Sequence, residues 1–212
     1  MTPLQKYYET IASTLISKME GRGFKAQFVP AKEDALEVIK KMLPSGASVS
    51  FGGSATLKEI GFQDFISQTR DYEVLDRASA STPQEKRLMY QKIAGCDYFF
   101  MSSNAITLDG ELVNIDGYGN RVACLIAGPQ NVVVVAGMNK LAPDVDSAIA
   151  RVRNIAAPPN TIRLNKNTPC ASTGRCGNCL SDDCICCQTV ITRKSSIPGR
   201  IQVILVGEAL GF

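Results

Sequence analysis

The chain has 212 residues, 45% of them apolar and 20% charged, with 23 Lys and Arg against 20 Asp and Glu for a net charge of +3. That length and balance suit one folded domain with a real core and exclude a disordered or fibrous chain, and so small a charge excess leaves no nucleic-acid footprint. Two counts depart from the ordinary: histidine is absent, and six of the eight cysteines fall between Cys170 and Cys187.

Without imidazole, Ser-His and Cys-His catalysis and histidine metal ligation are excluded, so any chemistry falls to Asp, Glu, Lys, Tyr or Cys. Met1 to Lys6 lack a signal-peptide core, and the longest apolar run, Val132 to Met138, is far short of the roughly 18 residues of a membrane span. A soluble cytoplasmic protein with no membrane insertion is therefore expected, and in that reducing compartment clustered thiols are read as metal ligands or redox groups.

Leu4, Tyr7, Tyr8, Ile11, Leu15 and Met19 recur at helical spacing and stop at Gly21-Arg22-Gly23, after which Phe24 to Val29 reads as a strand. Ala35, Leu36, Ile39, Met42 and Leu43 mark a second helix closed by Pro44-Ser45-Gly46, and Ala47 to Phe51 runs extended into a glycine pair. Thr82-Pro83-Gln84-Glu85 is a capping signature that predicts a helix over Pro83 to Ala94, followed by a strand over Tyr98 to Ser102. Asp109-Gly110 between apolar runs predicts a hairpin. Val122 to Ala127 and Val132 to Ala136 both read as strands buried on two faces. Val145 to Ile155 reads as a helix that Pro158-Pro159 ends. From Asn160 to Ser196 periodicity fades into an irregular excursion, and Arg200 to Val206 is the last strand. The pattern is one α/β domain of βα crossovers with a cysteine-rich loop module, at 165–196, before its final strand.

Four constellations carry chemistry. Gly52-Gly53-Ser54, with Thr56, leaves a strand and opens a helix, which suits either an anion-binding loop or a capped turn. Asn114, Asp116, Gly117, Asn120 and Arg121 gather amide, carboxylate and guanidinium groups on a segment read as a flexible loop, and Asn104 and Thr107 stand on the hairpin segment before it as further candidate ligand contacts. Asn139 and Lys140 follow a buried strand, where open parallel sheets place ligands, whereas Arg151 and Arg153 read as structural helix-end cations. Cys170-x5-Cys176-x2-Cys179-x4-Cys184-x-Cys186-Cys187 offers more than the four thiolates that a zinc site or an iron–sulfur cluster needs, while Cys96 and Cys124 read as core residues.

Taken jointly, several segments resemble the LUD-domain family of lactate-utilisation proteins, the LutC and YkgG type. They are Gly52-Gly53-Ser54-x-Thr56-Leu57-x-Glu59-x-Gly61, Asn104-Ala105-Ile106-Thr107-x-Asp109-Gly110, Asn114-x-Asp116-Gly117-x-Gly119-Asn120-Arg121, Gly137-x-Asn139-Lys140 and Arg151-x-Arg153-Asn154. Thr168-Pro169-Cys170, Cys176-x-x-Cys179, Ile185-Cys186 and the ending Gly207-Glu208-x-Leu210-Gly211-Phe212 extend the resemblance to the subgroup with a cysteine-rich carboxyl segment. The resemblance covers nearly the whole chain, 1–212, as a single domain. It implies a three-layer α/β/α fold with a mainly parallel sheet, like the NagB/RpiA/CoA-transferase group, and a part in oxidising lactate or a related 2-hydroxy acid beside iron–sulfur partner subunits. It also implies Cys170, Cys176, Cys179 and Cys186 as ligands of an iron–sulfur cluster, or of zinc, with Cys184 and Cys187 as additions. In the crevice, Asp116 is expected as proton acceptor, and Arg121 with Lys140 as the grip on a small anionic ligand. No flavin or nicotinamide fingerprint is present. Two other readings stay open: a stand-alone isomerase or acyl/CoA transferase using Asp116, Glu59 or Lys140, and a non-catalytic binding subunit stabilised by zinc.

Overall fold

A computed structural model describes residues 2–212. Helix α1 (Pro3–Gly21) begins with the reciprocal cap its sequence allows, Thr2 Oγ1 accepting from Gln5 N and the Gln5 side chain accepting from Thr2 N. It leads through β1 (Lys25–Val29), α2 (Lys32–Met42) and β2 (Ser48–Phe51) to two short helices, α3 (Ala55–Glu59) and α4 (Phe62–Gln68), and the edge strand β3 (Glu73–Val74). Helix α5 (Pro83–Ala94) has the Thr82–Glu85 capping box read from sequence and feeds β4 (Tyr98–Met101). Then come the hairpin β5 (Ala105–Thr107) and β6 (Leu112–Asp116), α6 (Asn120–Ile126), β7 (Asn131–Gly137) and β8 (Leu141–Ala142). The chain ends through α7 (Val145–Arg151), α8 (Ala157–Arg163), α9 (Pro169–Thr173), β9 (Gln188–Thr192) and β10 (Ile201–Val206).

Six strands form a parallel sheet in the order β1-β10-β7-β4-β2-β3. Because side chains alternate along a strand, the valine run of β7 serves two cores. Val132, Val134 and Ala136 pack with Leu15 and Met19 of α1, Ile93 of α5 and Leu125 of α6, whereas Val133 and Val135 pack with Ile39 of α2, Leu57 of α3 and Phe62 of α4. The result is the expected three-layer α/β/α arrangement with a mainly parallel sheet. Cys96 and Cys124 are buried in the first core, as read from sequence.

A second, mixed sheet, β8-β5-β6-β9, was not anticipated. The Asp109-Gly110 turn joins β5 to β6 as predicted, with Gly110 at φ 89°, where only glycine is unstrained. Alanines 105, 142, 148 and 156, with Val113 and Val152, form a third small core between this sheet and α7.

Four expectations are corrected. Val122 to Ala127 is helix α6, not strand: Val122, Cys124 and Leu125 are buried while Ile126 is 64% exposed, so only one face is covered, and an apolar run this short does not declare its period. Its carbonyl end is held from far along the chain. Arg200 donates to the carbonyls of Cys124 (2.8 Å), Leu125 (2.8 Å) and Pro129 (2.9 Å), putting a cation where the helix dipole favours one. Arg200→Ala is therefore expected to cost about 2–3 kcal/mol in urea unfolding, with little recovery in Arg200→Lys because one ammonium cannot span three carbonyls.

Pro158-Pro159 does not end the helix that starts at Val145. Val152–Ala156 widens into a π turn, in which Ala157 N reaches Val152 O, and the prolines then occupy the first turn of α8, where amide protons are dispensable. Finally, the segment from Asn114 to Arg121 is not a flexible loop, and 160–196 is not wholly irregular. Asn114, Ile115 and Asp116 are buried in β6, whose outer edge is covered by β9, with register Asp116↔Gln188 to Leu112↔Thr192.

Candidate functional site

The parallel strands β2, β4 and β7 stand side by side, and the residues that follow their carboxyl ends border one cavity of about 450 Å³. Gly53, Ser54 and Thr56 follow β2, Ser102, Ser103 and Asn104 follow β4, and Lys140 follows β7. Asp116, Gly117, Asn120 and Arg121 close a second side, and Ile185, Cys186, Gly211 and Phe212 a third. This is where open α/β sheets hold ligands.

Arg121 organises the floor. Its Nε donates to Asp116 Oδ2 (3.0 Å), one terminal nitrogen to the Ser102 carbonyl (3.0 Å) and Asn114 Oδ1, and the other to Asn104 Oδ1 (3.0 Å) and the Ile115 carbonyl (3.2 Å). All five donors are spent inside the protein, so this guanidinium sets the positions of four polar segments and has none left to grip a ligand. Asp116 is equally committed, one oxygen to Arg121 and the other to the Gly119 amide at 2.7 Å. Gly52 is bare because Arg121 lies across it: a Cβ there would meet Arg121 Cδ at 3.3 Å.

Lys140 is different. It is 4% exposed, donates to Thr56 Oγ1 and Ser102 Oγ (both 2.9 Å), and has no carboxylate in ion-pair reach among the described residues. Burial, reinforced by the Arg151 and Arg121 charges and only partly opposed by Glu59, pushes it down to about 7. The remaining cations at the cavity, Arg77 and Arg163, leave it positive, since the one acid among the described lining residues, Asp116, is neutralised by Arg121.

Four residues proposed from sequence stand outside the cavity lining, Gly52 against Arg121 being one of them. Asn114 is buried behind Arg121, and Thr107 closes the β5–β6 turn through its hydroxyl and Glu111 (3.0 Å). Asn139 pins the segment after β10, its Oδ1 accepting from Leu210 N (3.0 Å), while its carbonyl accepts from buried Arg151. The structural reading of Arg151 fits these bonds. Sequence reasoning missed Arg77, Ser102, Ser103, Tyr118, Asn160, Arg163 and Phe212. Ser102 and Ser103 were detectable in principle, since they leave a predicted strand beside the Asn104 motif. Tyr118 and Phe212 fall within quoted motifs with nothing local to mark them as lining, and Arg77, Asn160 and Arg163 are brought in by topology.

The cysteine segment is not separate from the crevice. Ile185 packs its Cα where a Cβ on Gly117 would stand 3.2 Å away, Cys187 N donates to the Asp116 carbonyl (3.0 Å), and Cys186 borders the cavity. Cys170 is buried in α9 with Thr168 Oγ1 3.3 Å and Thr161 Oγ1 3.6 Å from its sulfur. Burial first, then the nearby Cys184, Cys176 and Cys170, pushes the Cys186 thiol up to about 12. Cys179 is held below the usual thiol range by hydrogen bonds from Ser181, and Cys184 is its neighbour. Thus the donors around Cys186 are all soft sulfur, which an iron–sulfur cluster takes and zinc accepts, but among the described residues no three of His, Cys, Asp or Glu are close enough together to hold one metal ion. No helix among the described residues is long and apolar enough to cross a membrane.

The chain is similar in fold to a DUF162 family protein from Deinococcus radiodurans, at TM-score 0.54 and 13% identity over 94% of this chain and 98% of that one. Weaker likenesses are to ribose 5-phosphate isomerase from Plasmodium falciparum (TM-score 0.35, 16% identity, 53% of this chain and 52% of that one) and to eIF2B delta from Chaetomium thermophilum (TM-score 0.35, 13% identity, 68% and 55%). No curated protein matches. The family model described as the LUD domain matches residues 12–206, nearly the whole length that builds the two sheets and the cavity, and the chain belongs to that family.

Proposed function

We propose that the protein is the ligand-binding component of a lactate or related 2-hydroxy acid utilisation system, holding a small carboxylate in the cavity at the ends of β2, β4 and β7. The observation that carries this reading is the charge of the cavity: the guanidinium groups of Arg77 and Arg163 stand at its border, and the one acid among the described lining residues, Asp116, is already paired with Arg121. An anion entering there meets uncompensated positive charge in a partly dry site, where such contacts are strongest. The 450 Å³ volume accommodates a three-carbon acid with room for a second group beside it.

As placed, no three of the cysteine sulfurs among the described residues can share one metal ion, so an electron route would require the segment to draw together. Cys170, Cys176 and Cys186, with a fourth thiolate from the Cys179–Cys184 pair, would hold an iron–sulfur cluster, which supplies one-electron transfer when bound. Cys186 belongs both to this set and to the cavity border, so an electron acceptor would stand beside the bound acid. Iron–sulfur partner subunits would take the electrons onward. The chain's own residues have the preparatory tasks: Arg121 fixes Asp116 and Asn104, Thr56 and Ser102 orient Lys140, and Phe212 with Ile185 shields the acid from water.

The test is anaerobic purification followed by iron and sulfide analysis, a visible spectrum, and calorimetric titration with L-lactate and pyruvate. Expected are saturable binding of both acids, a loss of affinity of about tenfold or more in Arg77→Ala/Arg163→Ala, and cluster absorbance that disappears in Cys186→Ser. Absence of carboxylate binding would overturn the ligand assignment, and iron content unchanged by Cys186→Ser would overturn the electron route.

A further inference from the structure

The hydrogen bonds around Lys140 specify more than a positive charge. Thr56 Oγ1 donates its own proton to the Leu210 carbonyl (3.4 Å), and Ser102 Oγ donates to the Ser103 carbonyl (3.3 Å). Each hydroxyl therefore meets Lys140 Nζ as an acceptor, at 2.9 Å. A neutral amine has two protons and one lone pair. With two acceptors holding the two protons, the lone pair is what remains for the cavity that Lys140 borders, whereas an ammonium would carry a third proton with no acceptor among the described residues. Bare backbone lies over this seat. Gly211 sits at φ +58°, and a Cβ there would meet Thr56 Oγ1 at 2.7 Å and approach Nζ to 3.4 Å.

We propose that Lys140 is a carbonyl-directed nucleophile that condenses with a 2-oxo acid in the cavity to form an imine. This rests on reading the cavity as a small-carboxylate site, with Arg77 and Arg163 placing the carboxylate and Lys140 meeting the adjacent carbonyl. The Nζ lone pair bonds to the carbonyl carbon and the carbon–oxygen double bond opens. The two amine protons then leave with that oxygen as water, and a carbon–nitrogen double bond remains. No electrons are exchanged with any other group. The Thr56 and Ser102 hydroxyls, in contact with both protons, are the relay for their transfer. Desolvation keeps the amine unprotonated enough to react near neutral pH, as in other buried lysine nucleophiles. A 2-hydroxy acid has no keto carbonyl and binds without condensing, so the step distinguishes the oxidised from the reduced member of the pair.

Pyruvate with sodium cyanoborohydride, followed by peptide mass mapping of the wild-type chain, tests this. The expected result is one reduced adduct, at Lys140, formed at least about a hundredfold faster at pH 7 than at any exposed lysine, in proportion to the larger fraction of neutral amine. Lactate gives no adduct and competes with pyruvate. Lys140→Arg retains charge and loses the adduct. Saturable pyruvate binding without a Lys140 adduct would overturn the imine and leave the carboxylate reading standing. Trapping of acetone at Lys140 without binding of either acid would sustain the nucleophile and overturn the carboxylate reading.

Discussion

Arg121→Ala is expected to cost about 3–5 kcal/mol in urea unfolding and to abolish carboxylate binding, although Arg121 has no donor left to touch a ligand. The magnitude follows from what stays behind. Asp116, 8% exposed, loses its only ion-pair partner and keeps a single hydrogen bond from Gly119. Asn104 Oδ1, Asn114 Oδ1 and the Ser102 and Ile115 carbonyls lose donors at the same time, and each buried acceptor left unmatched adds to the cost. The released side chains border the cavity, so binding fails with stability. Arg121→Lys recovers the ion pair but not the fork geometry and is expected to regain less than half of the loss. Asp116→Asn is the informative companion: it keeps the shape, removes one charge of the pair, and separates the cost of an unpaired guanidinium from that of lost positioning. A midpoint shift in Arg121→Ala no larger than that of an exposed arginine substitution would show that the network is dispensable.

How much of this network was visible in sequence depends on how locally each feature is encoded. The capping boxes at Thr2 and Thr82, the Asp109-Gly110 turn and the alternating valines of β7 are written within a few residues, and each was readable. Helix α6 was misread because its decisive partner, Arg200, lies more than seventy residues away, and the run from Val122 to Ala127 is too short to show a period of its own. The π turn at Val152–Ala156 was hidden for a related reason. A proline pair forbids a continuous α-helix, but a widened turn changes the register so that the missing amides fall in a first turn. In the crevice, residue types were legible and roles were not. Arg121 and Lys140 are both basic residues in the crevice, yet β6 and the segment after β4 surround the first with acceptors, and α3 and the residue after β4 give the second only two hydroxyls. The second sheet explains the rest: β9 exists by pairing with β6, and that pairing brings Cys186 to the cavity that the cysteine spacing alone left elsewhere.

Lys140→Met is expected to raise stability, by about 3–5 kcal/mol at pH 6, with an advantage that disappears toward pH 10.5. The sign follows from where the amine is protonated. In the unfolded chain Lys140 titrates near 10.5, and in the folded protein near 7, so between these values the unfolded state binds the extra proton. Below pH 7 both states are charged, and the folded state bears the whole cost of an ammonium enclosed with Arg151 and Arg121 and opposed only by Glu59. Raising the pH from 7 to 10.5 relieves this cost at about 1.4 kcal/mol per pH unit, so wild type gains on the variant throughout that window. Thr56 and Ser102 lose a donor in Lys140→Met but retain their bonds to the Leu210 and Ser103 carbonyls, so neither hydroxyl is orphaned. Urea midpoints of wild type and Lys140→Met at pH 6, 8 and 10 measure the difference directly. A variant less stable than wild type at pH 6, or a difference flat with pH, would mean that the amine is satisfied as an ammonium. A stabilising substitution at a buried residue of a ligand cavity is the mark of a group retained for what it does there and not for what it holds together.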